Sequence, residues 1–312
     1  MGDRPVHGSL LIETRPAGPG DAEAVLEVIL ARDLADVGEP DFTLDDLRDE
    51  WADPEVDLAR DSLVVEAGTG LAAYALCMPH AQDVYVHPGH CGLGIGAALL
   101  PLVEARALER GLPRRQYIAD RNAAAAGLLS ANGYVVTHRY WRMVCDLDRD
   151  PEAPRYPDGV ILRPFRLGVD DREVHALVQA AFSEIEGNIA YEFDPWRVRS
   201  IESSSFDPAW WFIAAAEGRI VGVSLSEVWE SDGIGWVGQL AVAPEWRGRG
   251  LGRALLHTSM RAFRERELPR AALSVHGDNL RAARLYESAG MRPAWRHDRF
   301  EKNETRFSGR SR

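Results

Sequence analysis

A chain of 312 residues is long enough for about two domains, each with its own core. Its formal net charge of −12 argues against a broad nucleic-acid or anionic-membrane surface, so an anion bound here is held by local arginines and not by a general field. The cysteines Cys77, Cys91 and Cys145 are odd in number and lack metal-ligand spacing, which points to a reducing compartment and to no metal site. No apolar run is long enough to cross a bilayer and Met1 to Pro5 lacks a signal-peptide core, so the expectation is a soluble cytoplasmic protein.

Leu10 to Ile12 reads as a short strand, and Thr14 to Asp21, rich in proline and glycine, opens a helix with Val25, Leu26, Ile29 and Leu30 on its buried face. Thr43 is the expected N-cap of a second helix with Leu44, Leu47 and Trp51 as its stripe. Ser62 to Glu66 and Leu71 to Met78 alternate as strands joined at Gly68-Thr-Gly70, and Val84 to Val86 is a third. A helix from Leu93 to Arg110 with a kink at Pro101, a strand from Tyr117 to Ala119 and a helix from Asn122 to Ala131 follow. Tyr134 to Val136 and Tyr140 to Leu147 read as a closing hairpin.

Asp148 to Asp158 is a proline- and charge-rich linker, after which the cycle restarts. A strand from Val160 to Phe165 precedes helices over Asp170 to Phe182 and Asp194 to Ser203. Strands then run from Trp211 to Ala215, Ile220 to Trp229 and Gly235 to Val242. A helix from Arg253 to Glu267, a strand from Ala272 to Val275, a helix from Asn279 to Ala289 and a strand from Met291 complete the same order. The expected domains are residues 8–147 and 159–301, joined by 148–158 and followed by a polar tail, 302–312.

Both halves carry one device. In the second, Leu240, Ala241 and Val242 end a strand and Pro244 stops the ladder. Arg247, Gly248, Arg249, Gly250, Gly252 and Arg253 then lead into a helix whose first amides are left bare. Bare amides and arginines at a helix start make an anion site. The glycine spacing fits neither the Walker loop nor the dinucleotide fingerprint. Val84, Val86, Pro88, Gly92, Gly94 and Gly96 repeat the pattern 156 residues earlier without a gap, so the chain is a tandem repeat of one domain. Cys91 and Leu93 stand in the first copy where the second has Arg247 and Arg249.

Arg247-x-x-Gly250-x-Gly252 after such a strand resembles the coenzyme A pyrophosphate loop of the GCN5-related N-acetyltransferase (GNAT) superfamily. The run from Asp278 and Asn279 through Tyr286 to Gly290 resembles that superfamily's later motif, whose asparagine contacts the cofactor arm and whose tyrosine hydroxyl approaches the thioester sulfur. Asn279 and Tyr286 are seven residues apart, two helical turns, and share a face. The resemblance implies an α+β fold of two tandem GNAT domains, each a central mostly antiparallel sheet flanked by helices. It also implies acetyl-CoA as cofactor, with Leu240, Ala241 and Val242 pairing to its pantetheine amides. The reaction implied is acetyl transfer to the primary amine of a small metabolite by direct attack in a ternary complex, with Tyr286 serving the leaving thiolate. Gly133 matches Gly290 with one residue of slippage, which sets Leu129 opposite Tyr286 and makes the first repeat the degenerate copy and the second the catalytic one. Two repeats and a proline linker resemble the mycothiol synthase-like two-repeat acetyltransferases, a family with a glutamate where this chain has Trp236.

For the general base, Glu227 shares a strand face with Val223 and Leu225. A carboxylate on a core face is used or paired, whereas one on a solvent face is merely exposed, and the alternation leaves both open. His276, at a strand end, is a second candidate. Glu184, Glu186, Glu192 and Glu230 suit an ammonium acceptor, with a solvated acidic loop as the alternative. Trp210, Trp211, Trp229 and Trp236 either line the acceptor groove or fill the core. Two further functions stay open: a coenzyme A-binding sensor or scaffold without turnover, and a protein N-terminal acetyltransferase. Oligomeric state is not legible.

Overall fold

The computed structural model describes residues 12–188, 190–229 and 233–302, so Leu10, Leu11, Glu230 and the tail from 303 lie outside the described residues. The chain forms two compact units, one of residues 1–137 with 297–312 and the other of residues 138–296. These are not the boundaries read from the repeat. Tyr134–Asp146 (β5) is one continuous strand and not a hairpin, because Thr137, His138 and Arg139 offer no turn-forming residue. Its later residues belong to the second unit, and the chain from His297 onward belongs to the first.

In the first unit, α1 (Ala22–Asp36), α2 (Leu44–Ala52) and α3 (Leu58–Asp61) precede an antiparallel sheet of β1 (Ser62–Ala67), β2 (Gly70–Cys77) and β3 (Gln82–Val86). Thr43 caps α2 by accepting the Asp46 amide at 3.1 Å. Val25, Ile29 and Leu47 pack with Tyr74 on one side of this sheet, while Ile95 and Leu99 of α4 (Ile95–Glu109) pack with Ala73 on the other. Pro101 sits inside α4 without ending it. β4 (Arg115–Ala119) pairs antiparallel with His297 to Glu301, and α5 (Ala123–Ala131) follows β4.

The second unit repeats this order. β6 (Ile161–Pro164), α6 (Asp171–Phe182), α7 (Phe193–Ser200), β7 (Trp211–Ala216), β8 (Arg219–Trp229) and β9 (Ile234–Val242) lead to α8 (Leu251–Glu265). β10 (Arg270–His276), α9 (Leu280–Ser288) and the start of β11 (Arg292–Lys302) complete it. Residues 138–146 of β5 lie beside β10, and β9, β8, β7 and β6 follow in that order. Every pairing is antiparallel except β10 with β9. Val223, Leu225 and Ala241 face Val174, Val178 and Trp196 of α6 and α7. Val237, Leu273 and Val275 face Leu256, Met260 and Phe263 of α8. Polar groups also join β8 to α8, since Ser224 and Ser226 meet Ser259 through hydroxyls 2.8 and 3.2 Å apart. The linker is tied to α8 as well: Tyr156 hydrogen-bonds Thr258, and Arg261 Nη1 donates to the Pro151 carbonyl at 3.2 Å.

Two irregularities in β9 position the site. It pairs with β10 only at Ile234, Gly235 and Trp236, opposite Arg270, Ala271 and Ala272, and beyond Trp236 the ladder ends. Opposite β8, Leu225 pairs with Gln239 and Ser226 with Val237, which leaves Gly238 as the extra residue of a bulge. The three paired residues need a glycine at their centre, because a Cβ on Gly235 would overlap the Phe263 ring. Gly235→Ala is expected to cost about 1–3 kcal/mol through overpacking, read as a lower urea midpoint at unchanged slope.

Candidate active site

The two glycine turns have the same backbone. In the second unit Arg247 is extended at φ −70°, ψ 151°, and Gly250 is left-handed at φ 87°, ψ −2°. Cys91 at φ −65°, ψ 152° and Gly94 at φ 81°, ψ 0° are their counterparts in the first. Glycine is required at Gly248 and Gly250 for their positive φ, and nothing lies within 4 Å of where a Cβ would stand at either. The turn is therefore an open cradle, with the unpaired first amides of α8 as its floor. Gly252 serves packing instead, since a Cβ there would stand 3.2 Å from Leu285 Cδ1, and this brings α9 against α8.

The arginines of the turn are not alike. Arg247 Nε donates to the Val242 carbonyl at 3.0 Å and its Nη1 to Glu184 at 2.6 Å. That pair holds the Glu184 carboxyl below the usual range, with Arg281 adding a smaller field. Arg249 lies over the Trp246 ring, 5.0 Å from its centroid, and Arg253 is exposed on the first turn of α8. Glu186 and Glu192 are exposed, so of the acidic residues placed by the sequence in the 183–192 segment, Glu184 is the one brought to the cradle.

Asn279 caps α9 by accepting the Ala282 amide at 3.1 Å. Tyr286, two turns on, is 9% exposed and packs with Val237 and Leu240 of β9 and with Leu273 and Val275 of β10. It thus forms the wall of the opening where those strands part. Burial pushes its hydroxyl up to about 12.

Glu227 is half-buried and directly opposite Trp236 in the β8–β9 ladder. From Val223 onward the alternation of β8 is intact, because the extra residue opposite β9 is Gly238 and the shift against β7 falls earlier, at Val221; Glu227 therefore stays on the face of Val223 and Leu225. Both carboxylate oxygens are held, Oε2 by Ser205 Oγ at 2.6 Å and Oε1 by Trp229 Nε1 at 2.9 Å. Trp229 stacks on Trp236 with centroids 5.0 Å apart, and the buried Arg142 guanidinium lies 4.3 Å from the Trp236 ring and 4.9 Å from the Trp295 ring. Trp210 and Trp211, by contrast, pack into cores, against Phe263 and Phe165. His276 is buried and packed edge-on to His138 and Tyr140. The sequence pattern does not single out Ser205 or Arg142. The run Ser203-Ser-Ser205 ahead of a strand was the available signal for the first, and no local pattern marks the second.

The first unit fills the same backbone differently. Asn122 caps α5 as Asn279 caps α9, but its Nδ2 also donates to Asp36 at 2.9 Å. Asp36 is paired in turn with Arg32, whose Nη1 reaches Cys91 Sγ at 3.5 Å. Leu129 is fully buried against Leu100, Tyr134 and Phe300. On β3, burial pushes Asp83 up to about 6, and burial together with the Asp83 charge pushes Glu50 up.

A glycine cradle of one backbone in both units, with an opened parallel pair beside it in the second, is the arrangement of a coenzyme-binding acyltransferase. The chain belongs to the acetyltransferase (GNAT) family, whose model matches residues 29–134 and again 173–291. It is 35% identical over 284 residues to a mycothiol acetyltransferase of Thermobispora bispora, covering 88% of this chain and 93% of that one. A mycothiol acetyltransferase of Streptomyces avermitilis is 32% identical, covering 90% and 91%. Among solved structures, a GCN5-related N-acetyltransferase from Sphaerobacter thermophilus matches with TM-score 0.78 at 30% identity, covering 93% of this chain and 95% of that one. A tandem GNAT protein from the clavulanic acid biosynthesis pathway shares the fold, with TM-score 0.76 at 17% identity over 95% and 100% of the two chains. The protein is accordingly an N-acetyltransferase that uses acetyl-CoA. The residues present fit that cofactor: the open glycines accept a pyrophosphate-sized anion, and the parted β9 offers a strand edge to an amide-bearing arm.

Gly250→Ala forces a side chain into the left-handed region and into the cradle, and is expected to weaken acetyl-CoA binding at least tenfold by calorimetry at a stability cost of about 1 kcal/mol. The raised Asp83 gives a separate expectation. Its folded value of about 6 exceeds the ordinary 3.8, so folding takes up protons in that window and stability falls as pH rises through about 6. Asp83→Asn should raise the thermal midpoint at pH 8 and leave it unchanged at pH 3.5.

Proposed function

We propose that the C-terminal repeat transfers acetyl from acetyl-CoA to the primary amine of a small metabolite by direct attack in a ternary complex. The observation that carries this reading is the opening between β9 and β10, with Tyr286 in its wall and the glycine cradle at its mouth. When bound, the coenzyme supplies an activated acetyl thioester. Gly248, Gly250 and the first amides of α8, that of Gly252 among them, with Arg249 and Arg253, would hold its phosphates, and Leu240, Ala241 and Val242 would align its arm along β9. Asn279 would contact that arm. Glu227 takes the proton of the acceptor ammonium, its oxygens already aimed by Ser205 and Trp229. Tyr286 keeps its proton at Oη and offers it as a hydrogen bond to the leaving sulfur. With the hydroxyl at about 12, full transfer to a thiolate of ordinary acidity would be uphill by roughly 5 kcal/mol.

The N-terminal repeat is the degenerate copy in this reading, with Leu129 in place of the hydroxyl. Val84, Val86, Gly92, Gly94 and Gly96 keep a coenzyme cradle there, while Asp36 occupies the amide of Asn122. Glu184 acts on the coenzyme side by holding Arg247, whereas the exposed Glu186 and Glu192 draw a cationic acceptor toward the site. The similarity to mycothiol acetyltransferases makes their acceptor the first amine to try.

The test incubates acetyl-CoA with that acceptor and with a metabolite extract, and follows new acetylated amines by mass spectrometry. Tyr286→Phe is expected to lower kcat about tenfold or more with little change in the KM for acetyl-CoA, and Glu227→Gln to abolish the acidic limb of the pH–rate profile. The Tyr286 group should contribute no basic limb below about pH 11. Binding of acetyl-CoA without any acetylated product would overturn the reading in favour of a sensor.

A further inference from the structure

The connection between α7 and β7 holds a feature that the glycine turn and α9 do not account for. Ser205, from residues 203–205, all serine, reaches 22 residues along the chain to place its hydroxyl 2.6 Å from Glu227 Oε2. The segment around it is fixed. Phe206, the next residue, packs edge-on to Trp211 and Phe165 at 5.0 and 6.3 Å, and Ile201 is buried in the same core. Ser203 Oγ lies 3.4 Å from Ser205 Oγ. A short hydroxyl on an anchored segment is a directional donor with little freedom to swing away, unlike a long side chain at the same distance.

We propose that Ser205 is a positioning residue for acetyl transfer: with Trp229 Nε1 on the other oxygen, it fixes the rotamer of Glu227 and keeps its carboxylate ionised and aimed. This rests on the reading of Glu227 as the proton acceptor. The two donors engage one carboxylate oxygen each. β9 presents Trp236 at the paired position, β8 presents Trp229, and the connection presents Ser205 with Asp207 two residues on. Arg142 is the cation stacked on the same tryptophans, and its field is common to every variant of Ser205. Losing the serine hydroxyl removes a donor to the charged form, so the carboxyl should hold its proton more tightly.

The experiment labels the glutamate carboxyls with carbon-13 and titrates the Glu227 resonance, assigned by its absence in Glu227→Gln. In Ser205→Ala the carboxyl is expected to titrate about one unit higher, a tenfold gain in proton affinity, and Ser205→Thr should restore the wild-type value. In turnover with the acceptor found above, Ser205→Ala should lower kcat about tenfold, leave the KM for acetyl-CoA unchanged, and be rescued by Ser205→Thr. An unshifted Glu227 titration in a folded Ser205→Ala protein would overturn the proposal. Should the alanine variant fail to fold, the threonine variant decides instead: a titration unlike wild type overturns it. Full turnover by Glu227→Gln would instead overturn the base reading, an outcome distinct from any result on Ser205.

Discussion

The chemistry proposed for the second unit depends on the parting of β9 from β10 after three shared pairs. A parallel ladder that stops partway leaves the peptide groups of residues 237–242 without a strand on the side away from β8, and such groups need a partner when covered. The edge is thus a template for an extended, amide-bearing ligand. Its length suits that use, because Gly238 and Val242 stand about 13 Å apart along the strand. The bulge at Gly238 is one end of this edge and the glycine cradle the other. Tyr286 of α9 lies in the core shared by those two strands, so its proposed role needs no long reach.

The two repeats separate what backbone determines from what side chains determine. Their glycine turns agree within a few degrees at matched residues, and both asparagines cap the following helix through the same contact. Left-handed glycines impose that geometry whatever surrounds them. The chemistry diverges where side chains do. Cys91 meets Arg32 where Arg247 meets Glu184, and Asp36 engages the Asn122 amide. Leu129 fills with hydrocarbon the place matching Tyr286. The two copies therefore differ in the side chains around the turn while sharing its backbone.

What the sequence revealed follows the same division. Alternation, caps and glycines are local, so the strands of both units, the Thr43 cap and the shape of the turns were legible. The closing hairpin was not, because a run such as Thr137-His-Arg139 gives no sign of whether the chain turns or continues, and here it continues into the other unit. The face of Glu227 was readable by counting from Val223, yet whether the count survived depended on which strand carried the bulge, a property of pairing and not of either strand alone. Arg142 was illegible for a related reason. An arginine in a strand reads as solvated, and this one is buried because tryptophans from β8, β9 and β11 converge on it.

On the proposed reading of Glu227, its pairing with Trp236 puts a carboxylate opposite the position where the resemblance implies a glutamate. Directly opposed residues of an antiparallel pair have Cβ atoms about 5 Å apart. A carboxylate at 227 instead of 236 therefore changes strand while keeping nearly the same place in the sheet. Its neighbours do change. From β9 a carboxylate would lie beside the parted edge, whereas from β8 it lies toward the connection that follows α7. An isolated carboxylate there would be costly to keep ionised and free to rotate. Donors must accompany the change of strand, and Trp229 on the same strand and Ser205 on the facing connection are those donors.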